Sequence, residues 1–110
     1  MANRHRGEIA AQLGGRERTL VLTLGALAEL ETRFGADGLG DLAQRFATGR
    51  VRAGDLAAII GAGLRGAGET IGDEEAARLA HPDGLPGFVR LVAELFAATL
   101  GAPEGAAPGP

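Results

Sequence analysis

"IIGAGLRGAG", Ile59 to Gly68, decides how the rest of the chain is read. Gly61, Gly63 and Gly66 match the G-x-G-x-x-G turn that dinucleotide-binding enzymes place between a strand and a helix, and Asp83 stands near the spacing of the ribose-binding acid. That fold needs a helix to begin inside the motif, so that free amides meet the pyrophosphate. Here Gly66, Gly68 and Gly72 make the downstream stretch a poor helix former. In place of a second strand ending at the acid stands "AARLAHPDG", a helix end and a turn, and beyond it there is room for a single helix. The three glycines therefore read as close-packing positions late in a buried helix, followed by a helix-ending Gly66-Ala67-Gly68 segment. No cofactor is expected.

Working outward, "VRAGDLAAIIGAGLRGAG" places Leu56, Ile59, Ile60, Gly63 and Leu64 at helical spacing behind Asp55, which makes this the central helix. Upstream, "GEIAAQLGGRERTLVLT" reads as a β-hairpin turning at Gly14-Gly15, a dipeptide that supplies the positive φ angles of a tight primed turn. A two-residue turn sets Ile9 against Leu20 and Ala11 against Arg18, and puts Ile9, Ala11, Leu13, Leu20 and Leu22 on one apolar side. A hairpin alone is marginal, so helices must cover it.

From Leu24 the period lengthens. Leu24, Leu27, Leu30 and Phe34 predict the buried stripe of a helix with Thr23 as N-cap and Gly35 as stop. "GLGDLAQRFATG" predicts a second helix carrying Leu39, Leu42 and Phe46 and ending at Gly49. "TIGDEEAARLAHPDG" predicts a short one starting near Asp73 to Glu75, with three acids at the positive end of its dipole, and stopping before Pro82. The last, "LPGFVRLVAELFAATLG", has Pro86 near its start and Phe88, Leu91, Val92, Leu95 and Phe96 along one side. Residues 102–110, "APEGAAPGP", are too rich in Ala, Gly and Pro to bury anything and are expected to be a disordered tail. The fold class is α+β: one domain over residues 1–101, an N-terminal two-stranded hairpin packed on four to five helices.

Composition narrows the chemistry. The 110 residues include no Cys, Ser, Lys, Trp or Tyr, which removes disulfides, thiolate metal sites, Ser and Cys nucleophiles and Schiff-base lysines together. His81 precedes Pro82 and Asp83, but no second ligand or triad partner stands at a working distance in sequence, so it reads as a turn histidine. Glu29 with Glu31, and Glu74 with Glu75, diverge on their helices and cannot form a carboxylate pair. The expectation is therefore no enzyme, no catalytic residues and no metal. Net charge is −3 with arginines and acids interleaved, so no nucleic-acid footprint is expected. Arg4 to Arg6 and Arg16 to Arg18 read as a solvated tail and a polar strand edge. No run reaches the roughly 20 apolar residues of a membrane span. A soluble, cytoplasmic protein is expected.

Two surfaces remain as candidates for binding another chain. One is the C-terminal helix around Val89, Leu95 and Phe96, whose apolar stripe serves either the core or a partner. The other is the hairpin edge near Arg16 and Arg18, which either accepts a strand or stays solvated.

Taken in order, "GEIAAQLGGRERTLVLTLGALAELETRFG", "DLAAIIGAGLRGAG", "DEEAARL" and "VAELFAATLG" resemble a family of small proteins encoded among the tail genes of gene transfer agents and related long-tailed phages. The likeness runs from about Arg4 to Gly101 and is carried by "TLGALAELE" and "IIGAGLRGAG" together. That family is labelled both as a tail tube protein and as a tail assembly chaperone. A tube subunit normally has a β-rich body, so the resemblance implies the chaperone: a non-enzymatic protein of a gene transfer agent or prophage-derived tail. It would bind the tape measure protein during assembly, with the major tail protein as a second partner and a homo-oligomer as an open form. The alternative is a structural virion component, a tail tube or connector subunit. The resemblance brings no catalytic residues.

Overall fold

The computed structural model describes residue 3 and residues 6–35 and 39–100; the expected disordered tail at 102–110 lies outside the described residues. Two strands are followed by five helices, β1 (Ile9–Leu13), β2 (Arg16–Leu20), α1 (Leu24–Phe34), α2 (Leu39–Ala47), α3 (Ala53–Gly66), α4 (Asp73–Ala77) and α5 (Gly84–Leu100). This is the α+β arrangement read from the sequence. β1 and β2 pair antiparallel with Ile9 opposite Leu20, Ala11 opposite Arg18 and Leu13 opposite Arg16. Gly14 and Gly15 supply φ angles of 64° and 87°, the left-handed pair that lets the turn follow the twist of the strands. The tip is pinned from outside by the Gly14 amide, which donates to the Ala80 carbonyl at 2.9 Å.

α3 is the centre of the molecule. Leu56, Ala58, Ile59, Ile60, Ala62 and Leu64 are all buried, and the helix packs on β2, α1, α4 and α5. A helix buried on nearly all sides needs small residues where its neighbours come closest. At Gly63 an added Cβ would stand 3.1 Å from Leu95 and 3.2 Å from Leu20, and at Gly66 it would overlap the Val21 carbonyl oxygen. The Val21 amide donates to the Gly63 carbonyl at 3.0 Å, so the chain leaving β2 lies backbone to backbone on α3.

Around α3, Ile9, Leu13, Leu20 and Leu22 from the hairpin meet Leu91, Val92, Leu95 and Phe96 of α5 in one cluster. Leu42 of α2 is buried, and Phe46 stacks edge-on against Phe96 with centroids 5.9 Å apart. Pro86 falls in the first turn of α5, where its missing N–H has no helical acceptor to lose.

The face of α1 differs from the expected stripe. Thr23 caps the helix by accepting from the Ala26 amide at 3.1 Å, and Gly35 ends it in the left-handed region, both as read. The residues turned inward, however, are Ala26 and Leu30, with Leu27 and Phe34 half-buried and Leu24 86% exposed. Leu24 stands two residues before Ala26, about 200° away around the helix, so a face set by Ala26 and Leu30 sends Leu24 into solvent.

The packing on Gly66 gives an expected outcome. Gly66→Ala should lower the free energy of unfolding by roughly 1–3 kcal/mol, because the Val21 backbone cannot move without breaking its bond to Gly63. Gly40→Ala, in α2 with open space around it, should raise it by about 0.5–1 kcal/mol. Urea denaturation of the two variants beside the parent checks the pair; equal effects would show that the close approach at Gly66 is not what holds β2 on α3.

Candidate functional site

The glycines that resemble a phosphate-binding turn lie inside α3, eight residues or more after it begins at Ala53. Their neighbours are side chains: Asp73 Oδ1 would stand 2.7 Å from a Cβ at Gly61. Asp83, at the ribose-acid spacing, is instead ion-paired with Arg90 at 2.6 Å, and its amide donates to His81 Nδ1 at 2.9 Å. His81 packs edge-on against Phe88 and covers Gly87, where a Cβ would overlap the ring. It is a turn histidine that organises the start of α5. Among the described residues no group of three or more His, Cys, Asp or Glu is placed to hold a metal ion.

The hairpin arginines divide. Arg18 sits on the inner face of β2 with its side chain only 12% exposed. Its Nη1 donates to Glu69 Oε1 at 2.6 Å and its Nε to the Leu13 carbonyl at 2.9 Å, so it clips the hairpin to the loop after α3. Arg16 is exposed and reaches Glu69 at 3.8 Å. As part of a partner surface Arg18 is therefore unsuited: its donors already serve the fold. Arg65 does a similar task across the molecule. It pairs with Glu29 of α1 and with Asp73 of α4 at 3.0 Å, and donates to the Ile71 carbonyl at 2.9 Å. The contact with Asp73 Oδ1 is an ion pair without hydrogen-bond alignment.

The residues proposed on the C-terminal helix also divide. Leu95 and Phe96 are core, 0% and 4% exposed, wedged against Gly63 and Phe46, so of the two readings of the stripe theirs is packing. Val89 is on the other side at 41% exposed, one turn after Leu85 at 61%. Leu85 and Phe88 form one wall of an apolar groove whose other walls are Ala53, Leu56, Ala57 and Ile60 of α3 and Ala76 and Ala77 of α4. The groove has a volume of about 250 Å3 and no charged side chain in its lining. The sequence reading did not find it. A local signal lies in the i, i+3 pair of Leu85 and Phe88; the alanine walls become a surface only once three helices meet.

Residues 6–102 match the family described as phage tail tube protein, GTA-gp10. The chain belongs to this family. The match spans every strand and helix of the fold, from β1 to α5. No curated protein and no solved structure matches the chain. Membership of the tail tube protein family bears out the gene transfer agent and phage tail assignment and overturns the chaperone expectation, together with the tape measure client that came with it. That expectation treated a large sheet as a requirement for a tube subunit. A subunit of a repeating assembly needs faces that fit its neighbours, and helices can provide those as well as strands. No helix among the described residues is long and apolar enough to cross a membrane.

The division of candidate residues can be measured. Leu95→Ala should cost about 2–5 kcal/mol of stability, as a large side chain removed from a full core, while Val89→Ala should stay within about 0.5 kcal/mol. Arg18→Ala should cost about 1–3 kcal/mol and Arg16→Ala less than about 0.5 kcal/mol. Thermal and urea denaturation of the four variants gives the comparison; a harmless Leu95→Ala would return that residue to the surface.

Proposed function

We propose that the protein is a structural subunit of the tail of a gene transfer agent or long-tailed phage, a tail tube component that stays in the finished particle and makes or breaks no covalent bond. The observation that carries this reading is the family match over residues 6–102, which takes in the whole described fold and not one motif. The composition supports it from the side of chemistry. The chain has no Cys, Ser, Lys or Tyr, the usual nucleophiles and Schiff-base formers, and Asp83, Glu69 and Asp73 are engaged in ion pairs. Its partners are accordingly other tail proteins, including further copies of itself. An apolar groove, an exposed Leu24 and a hairpin with an outer edge are the faces a repeating subunit has to offer.

Quantitative mass spectrometry of purified, nuclease-treated particles tests the reading. The chain should be present in many copies, in amounts comparable with other structural tail proteins. A copy number matching a single ring would point to a connector position in the same tail. Absence from finished particles that contain the rest of the tail would overturn the structural role.

A further inference from the structure

We infer that the groove between α3, α4 and α5 receives Leu24 of a second copy of this chain, joining subunits head to tail; the inference rests on the structural role proposed above. Leu24 is the most exposed large apolar side chain among the described residues, 86% open at the first position of α1. Its exposed chain neighbours Thr23, Gly25 and Ala28 carry no charge. The groove is likewise lined only by Ala, Gly, Leu, Ile and Phe. Bringing the two together removes water from apolar surface without burying a charge or an unpaired polar side chain, the usual penalty of closing a contact. The other exposed large apolar side chains among the described residues are Leu85, Val89 and Leu100, of which Leu85 belongs to the groove itself.

The two features cannot belong to one patch. Thr23, beside the knob, packs against Gly66 at the C-terminal end of α3, whereas the groove is built on the first two turns of that helix. Gly66 and Ala57 alone are about 14 Å apart along the axis. A knob at one end and a socket toward the other let each subunit give and receive, which propagates into a ring or a stacked series. The contact area agrees with this arrangement. One side chain in one groove buries far less than the roughly 800 Å2 per partner that a stable pair needs, so the contact holds only where each subunit makes it twice and neighbours reinforce it.

The chain has no cysteine of its own, which makes the test direct. Leu24→Cys and Ala77→Cys, both at exposed positions, are placed together in the full chain, tails are assembled with it, and purified particles are treated with a short bis-maleimide. A ladder of dimers, trimers and higher species, absent from either single variant, is the expected result. Dimers alone would mean a closed two-fold pair and would overturn the head-to-tail contact. No cross-link in particles that contain the chain would overturn the contact and leave the structural role standing; finished particles assembled with the parent chain that do not contain it would overturn both. As a second measurement, Leu24→Glu should reduce incorporation into particles about tenfold, with Leu24→Met close to the parent. Normal incorporation of a folded Leu24→Glu chain would also overturn the inference.

Discussion

The Val21 amide bonds to the Gly63 carbonyl while the Val21 carbonyl passes over Gly66, so the strand leaving the hairpin and the central helix touch through their backbones. Nothing with a side chain fits between them. That one approach sets the depth at which Leu20 enters the core, and Leu20 in turn meets Gly63 and shares the core with Leu95 of α5. It also fixes the direction in which the chain departs toward Thr23, and hence the entry angle of α1. A two-stranded sheet cannot hold its own shape in water. Here it does not have to, because its second strand is fastened to a helix that is itself buried on nearly every side.

Arginines hold the outside of this arrangement. The chain uses no lysine, and two of its arginines tie segments distant in sequence: Arg18 the hairpin to the loop after α3, Arg65 the first helix to the third and fourth. A guanidinium can serve several acceptors in one plane, whereas an ammonium is a single point of charge. Each pair is partly solvated and modest in energy. What they add is connection between segments that lie far apart in sequence.

Much of this was legible in the residues. The hairpin register followed from Gly14-Gly15 and the alternation around it, and the burial of α3 from Leu56, Ile59, Ile60 and Leu64, because both depend on neighbours within a few positions. The glycines of α3 were legible for the same reason: their context had no strand before and no helix start within. What failed depended on distant packing. Spacing alone places Leu24 inward, yet the buried face is set by Ala26 and Leu30, which leaves Leu24 in solvent. The spacing of Leu95 and Phe96 leaves core and partner open, and it is the hairpin and α2 that cover them. The groove was invisible because no single element carries it. The tail assignment was readable in the order of segments, while the choice between its two labels turned on an assumption about sheet content that the helices of this fold do not share.

The bond from the Gly14 amide to the Ala80 carbonyl has a consequence in time. The hairpin leaves the ribosome before the helices, yet its tip is anchored, and its inner face covered, by segments some 60 to 80 residues later in the sequence. At ordinary rates of synthesis the wait lasts several seconds, during which Ile9, Leu13 and Leu20 have no permanent cover. The core therefore closes only once α5 is available, and a nascent chain stopped before α5 is a fragment with its greasy strands open to whatever lies nearby.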